Sequence, residues 1–119
     1  MATKSITITR DTNSRNCWVV TWTGLANGDD GTPLRMPAAS DRSWQVGGTF
    51  GAGGTVLCEG SNEGSNYVTL TDPQGNAISK TAAAIEQIEE LTVYVRPRVS
   101  AGDGTTSINV TMLVRGQDY

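Results

Sequence analysis

An all-β domain, an antiparallel sandwich or barrel, is the fold class this sequence predicts, and three observations carry it. Short runs of period-two alternation recur between Val46 and Val114. Each is closed by a tight turn of residues that tolerate positive φ: Gly51-Ala52-Gly53-Gly54, Ser61-Asn62-Glu63-Gly64-Ser65-Asn66, Asp72-Pro73-Gln74-Gly75-Asn76 and Ala101-Gly102-Asp103-Gly104. Val, Ile, Leu and Trp are ample enough to build a core, which argues against disorder. At 119 residues the chain reads as one domain, 1–119. That length buries roughly two-thirds of the extended surface without help from a metal or disulfide.

The first strand is expected over 5–10, where Ile6 and Ile8 share a face, after a flexible N-terminal arm at 1–4. Asp11-Thr12-Asn13-Ser14 then turns the chain. Residues 17–22 follow, with Trp18, Val20 and Trp22 on one face and Cys17, Val19 and Thr21 on the other. A strand apolar on both sides is central or covered by a partner. The long irregular loop at 23–43 is punctuated by Asn27-Gly28-Asp29-Asp30-Gly31, Pro33 and Pro37. A loop of that length in a compact domain is usually functional or disordered, so it is the candidate contact loop. Leu25, Leu34 and Met36 are available to pin it to the body, and a pinned connection with no binding role is the alternative.

Residues 44–50 set Trp44, Val46, Gly48 and Phe50 on one face, and Gly47-Gly48 marks a bulge or a close backbone approach. Strands at 55–60, 67–71 and 77–80 are each joined by one of the turns above, so sequence neighbours are expected to pair as hairpins. A short helix is expected over 82–90: Thr81 caps it, and Ala82, Ala83 and Ala84 lead into Ile85, Ile88 and Leu91 at helical spacing. An irregular crossover is the alternative. Glu86, Glu89 and Glu90 read as a solvated acidic face. The clearest hairpin is expected between 91–100, with Val93, Val95 and Val99 on one face, and 106–115, with Ile108, Val110, Met112 and Val114 on one face. Pro97 cannot donate to a ladder and marks an edge strand or a bulge. The polar end at 116–119 is expected to fray.

The chemistry narrows by exclusion. The chain has no His, so Ser/His/Asp and Cys/His catalysis are ruled out. A carboxylate pair drawn from Asp29, Asp30, Glu59, Glu63 or the Glu86 cluster is formally available, but four of these positions lie in turns or on an exposed face and nothing there raises the pKa of a general acid. An enzyme is not expected. Asp103-Gly104 and Asp29-Asp30-Gly31 lack the alternating ligands and closing Glu of a calcium loop and read as turns. Cys17 and Cys58 lie in predicted strands and read as buried thiols, with a disulfide as the alternative; two thiols with no second pair do not build a zinc site. No cofactor or metal is expected. A net charge of −3 disfavours nucleic acid, and no apolar run of membrane length is present. With no leader segment, cytoplasmic synthesis is expected.

What remains is presentation of surface. Aromatics and Arg dominate protein interfaces, which singles out Trp18, Arg96 and Arg98, while Trp22 and Trp44 are expected in the core. The arm and the long loop add Lys4, Leu34, Arg35 and Met36 to the candidate partner surface. Both the Pro97 strand and the two-sided strand at Trp18 point to self-association, as a dimer or a trimer.

Gly48-Thr49-Phe50, the run from Gly60 to Leu70, Tyr94-Val95-Arg96-Pro97 and Ala101-Gly102-Asp103-Gly104-Thr105-Thr106, taken in that order, resemble small virion proteins of tailed bacteriophages, of the head decoration or cement kind. The resemblance implies a jelly-roll or related β-sandwich on the outer capsid surface, with the major capsid protein as partner and the virion as location. The Gly60 to Tyr67 stretch is also similar to a hairpin of discoidin-like sandwiches, which implies a carbohydrate-binding module as the alternative. A tail or neck component is a third possibility.

Overall fold

The computed structural model describes residues 1–116; Gln117, Asp118 and Tyr119, expected as part of a frayed tail, lie outside them. The described chain is all strand, turn and loop. In order it forms β1 (Thr3–Lys4), β2 (Ile6–Arg10), β3 (Cys17–Leu25), β4 (Asp30–Gly31), β5 (Leu34–Arg35) and β6 (Ala39–Thr49). Then come β7 (Thr55–Ser61), β8 (Val68–Thr69), β9 (Ser79–Lys80), β10 (Ala84–Gln87), β11 (Tyr94–Ala101) and β12 (Ser107–Gly116). Sheet I has the order β10-β6-β12-β3-β2. Sheet II has the order β1-β4-β11-β7-β8, with β5 also paired to β11 and β9 to β7.

After the β2–β3 hairpin the chain alternates between the sheets. The outermost partners of the series pair first, β3 with β12; then β4 and β5 with β11, β6 with β10, and β7 with β8 and β9. This is a long antiparallel hairpin rolled around a core, the jelly-roll arrangement. It overturns the hairpin expected between 91–100 and 106–115. β11 pairs with β7 in sheet II, while β12 runs between β3 and β6 in sheet I. The turn at 51–54 likewise crosses between sheets instead of closing a hairpin. Both segments carry one apolar face, and packing the two faces against each other buries both, which a shared sheet would not do.

The inner faces match the alternation read from sequence. Val20, Trp22 and Leu25 of β3, Trp44 and Val46 of β6, and Ile108, Val110, Met112 and Val114 of β12 meet Val56 and Cys58 of β7 and Val95 and Val99 of β11. The Trp22 and Trp44 rings lie 6.1 Å apart at 46°, at the centre. Trp22 Nε1 donates to the Thr32 carbonyl at 2.9 Å. Gly31 sits against that indole so closely that a Cβ would fall 2.4 Å from Trp22 Cδ1, which explains a glycine there. Leu25 and Leu34 are buried and Met36 packs at the margin, so these three residues pin the 23–43 segment to the body. It is not one loop, however: it contains the end of β3, all of β4 and β5, and the start of β6.

Three further expectations change. The helix at 82–90 is absent: β10 pairs antiparallel with β6, Ile85 points to solvent and Ile88 to the core. A two-turn helix is marginal alone, whereas the open edge of β6 offers backbone partners along its length. The arm at 1–4 is tied down, because Thr3–Lys4 pairs parallel with β4. Pro97 is inside sheet II, opposite Cys58. Cys58 turns its amide and carbonyl the other way, to the Ile78 carbonyl and the Leu70 amide. The Pro97 nitrogen therefore faces the gap between β4 and β5, where no donor is required. Cys17 and Cys58 are free thiols on different sheets, and burial pushes the Cys58 thiol up.

The two inter-sheet crossings are latched to each other. The Asp103 carboxylate accepts from the Ala52 amide at 2.8 Å and from the Thr105 amide and hydroxyl at 2.9 and 2.7 Å, and Thr106 Oγ1 donates to the Phe50 carbonyl at 2.7 Å. The Ala52 amide, with Thr105, holds the Asp103 carboxyl at about 2. A depressed carboxylate stabilises the fold above its unfolded pKa of about 4 and loses that contribution as pH falls toward the folded value. Thermal melts across pH 4 to 2 are therefore expected to show a decline that Asp103→Ala flattens, with the variant already melting a few degrees lower at pH 7.

Candidate functional site

The outward side of sheet II carries most of the ionic side chains of the sandwich body. On β7 and β11 the residues between the core positions face outward, so Ser61, Glu59 and Leu57 lie opposite Tyr94, Arg96 and Arg98. Glu59 is the hub. Its Oε2 accepts from Arg98 Nε at 2.8 Å and its Oε1 from Arg96 Nε at 3.2 Å. Arg96 Nη1 reaches Asp30 Oδ2 at 3.4 Å, and Asp30 Oδ1 accepts from Thr3 Oγ1 at 2.7 Å. The Tyr67 ring covers Arg96 at 3.8 Å from its centroid, which favours a cation over the ring face. Glu59 is thereby only 5% exposed. This buried carboxylate is compatible with burial because two guanidinium groups satisfy it.

The loop before β8 sets Tyr67 in place. Ser61 Oγ accepts from the Glu63 and Gly64 amides, and the Glu63 carboxylate accepts from the Ser65 and Asn66 amides. Those amides, Asn66 foremost, hold the Glu63 carboxyl below its usual range. At the sheet's far end Asp29 accepts from the Ala2 and Ala26 amides at 2.8 and 2.9 Å and faces Lys4 Nζ at 3.8 Å. Burial alone would raise the Asp29 pKa, but the two amides and Lys4 outweigh it and the net shift is downward.

The expected partner residues separate into three groups. Lys4, Arg35, Arg96 and Arg98 lie on sheet II, where Arg96 binds Glu59 and Asp30 and Arg98 binds Glu59 through Nε. Arg35 is the outward member, exposed with its guanidinium 5.9 Å from the Tyr94 ring centroid. Leu34 is a correction: at 3% exposure it belongs to the core, because its register opposite Val95 turns it inward. Trp18 and Met36 are half-buried and pack against the core. Sequence reasoning missed Glu59, Asp30 and Tyr67 as a unit with Arg96. The only signal was Glu59 between core positions Cys58 and Gly60, and it acquires meaning only from the β7–β11 register.

The arrangement is a polar surface whose charges, Arg35 apart, are engaged in ion pairs. Among the described residues no group of three or more Cys, Asp or Glu side chains is placed to hold a metal ion. Fold and site together define a two-sheet jelly roll that presents an ion-paired polar face. No family model matches the chain, and no curated protein matches its sequence. Among solved structures, the crystal structure of the SPBc2 prophage-derived protein YomS superposes with a TM-score of 0.64, covering 82% of this chain and 93% of that one at 11% identity. The two share a fold.

Proposed function

We propose that the chain is a structural protein of a tailed-phage virion, and within it a decoration or cement protein that binds the outer capsid surface and braces the major capsid protein. The observation that carries this reading is the jelly-roll fold held in common with a prophage-derived protein over most of both chains. The surface supports it: the outward faces of the two sheets offer area for protein contact. About 800 Å² per partner gives specific attachment, and several weak contacts on one shell multiply through effective concentration. Arg35 beside Tyr94 is the best-placed anchor. No catalysis, cofactor, nucleic acid or membrane enters the proposal.

Purified protein added to capsids that lack it is expected to co-sediment saturably at a fixed copy number and to raise the capsid melting temperature. Arg35→Ala should weaken that binding while leaving the fold intact. Binding to isolated tails alone would move the protein to the tail or neck. Failure to bind any virion part would overturn the reading, and reproducible binding to one sugar class on a glycan array would then favour a carbohydrate-binding module.

A further inference from the structure

The edges of the sandwich are unequal. In sheet II one outer edge is β1, two residues long, and the other is made by β8 and β9, two residues each. In sheet I the β10 edge is short, because the Ile88 amide already returns to the Arg42 carbonyl and only Ile85 and Gln87 turn their backbone groups outward. The opposite edge, β2, is different. Its register against β3 runs unbroken from Ile6 to Arg10. The Asp11 amide continues that ladder to the Cys17 carbonyl at 2.9 Å, so Thr7 and Thr9 bond inward and Ile6, Ile8 and Arg10 turn their N–H and C=O groups outward. Among the described residues nothing pairs with this edge.

Natural edge strands are blunted by Pro, Lys, a bulge or an inward charge; β2 has none of these from Ile6 to Thr9, and its one charge, Arg10, stands at the strand's end on the face of Ile6 and Ile8. Ile8 adds a second signal. It lies opposite the fully buried Val20, on the core side of the sheet, yet remains 48% exposed.

We propose that the outer edge of β2 pairs with the same edge of a second copy, antiparallel about a two-fold axis at Ile8, joining the two copies' sheets into one. The edge is its own complement in that register. Ile8 exchanges both backbone bonds with its symmetry mate, and Ile6 does so with Arg10 at each end. Ile8 packs on Ile8, the Arg10 stem lies over Ile6, and Thr7 falls opposite Thr9 on the other face. The two Arg10 residues are the only charges in the pairing and stand about 14 Å apart along the strand, beyond the ~8 Å Debye length at physiological ionic strength. A foreign strand would satisfy the backbone equally, but the matched Ile and Thr alternation and the absence of opposed like charges select a second copy. The contact is isologous and closes as a dimer. It does not rest on capsid binding.

Sedimentation equilibrium of the whole protein is expected to show a concentration-dependent dimer of twice the 12.6 kDa chain mass. Ile8→Pro removes an outward N–H while the inward bonds of Thr7 and Thr9 remain, and Ile8→Lys sets two ammonium groups side by side. Each should weaken the dimer by at least about tenfold, while Leu113→Lys on the outer face of sheet I should leave it unchanged. Hydrogen exchange needs no variant: the Ile6, Ile8 and Arg10 amides should be protected in the dimer and lose protection on dilution, while Thr7 and Thr9 stay protected. A monomeric wild type, a dimer that survives both Ile8 changes, or unprotected Ile8 in the dimer would overturn the proposal.

Discussion

Glu59→Ala is expected to lower the unfolding free energy by roughly 2–4 kcal/mol, read as a shift of the urea midpoint with unchanged slope. Removing one partner of a buried ion pair leaves the remaining charges without compensation, and here two guanidinium groups lose the carboxylate at once. The figure is set below the full cost of a completely buried pair because the Arg96 and Arg98 side chains keep 22% and 39% of their exposure. Glu59→Gln retains an acceptor and should cost about half as much. A double-mutant cycle with Arg98→Ala should return a coupling of about 1 kcal/mol or more, since the two groups share one bond network. A loss within experimental error for Glu59→Ala would mean that the network is a solvated surface cluster with no structural weight.

Arg42→Met is expected to act in the opposite direction, raising stability by about 1–3 kcal/mol. Arg42 is on the core side of β6 and only 2% exposed. One guanidinium nitrogen donates to the Met36 carbonyl at 3.0 Å, but Nε and Nη1 are buried without a partner. No carboxylate lies within ion-pair distance of it among the described residues, and burial pulls its pKa below the usual guanidinium range. Met fills a similar volume and removes the buried charge, against which the lost carbonyl bond costs about 1 kcal/mol. Arg42→Ala would instead leave a cavity and should destabilise. If Arg42→Met also destabilises, the guanidinium is satisfied by buried water, and thermal melts of the three proteins side by side separate the cases.

The contrast between Glu59 and Arg42 shows where sequence patterning stops. Both are buried charges in strands, Glu59 between the buried Cys58 and Gly60, Arg42 between the outward Asp41 and Ser43. Glu59 faces outward and Arg42 inward because the alternation of β7 and of β6 sets the side each takes. Even so, the partners of Glu59 come from β11, thirty-seven residues and more away. No local pattern encodes that register. The same holds for the Asp103 latch, whose Ala52 partner is fifty-one residues distant.

The expected helix at 82–90 failed for a related reason. Its Ala run and the Ile85 and Ile88 spacing are real local preferences, but the unpaired edge of β6 outweighed them, and Ile85 was left exposed. Glu86, a solvated-face residue by its sequence pattern, instead meets Lys80 at 2.6 Å across the sandwich edge. Glu90 hooks the amide of Thr71, which with its hydroxyl offsets the effect of burial and holds the Glu90 carboxyl low.

By itself the sequence determined the fold class, the main strand positions, the inward faces of β11 and β12, and the placement of Trp22 and Trp44 in the core. These follow from period-two alternation and turn chemistry, which act over a few residues. The tertiary structure alone decided which strands share a sheet, which turns cross between sheets, and which charges meet. Those outcomes depend on burying two apolar faces against each other and on pairing every backbone edge that can be paired. Arg96 and Arg98 were legible as special residues, but the carboxylate they serve became visible only when β7 and β11 came into register.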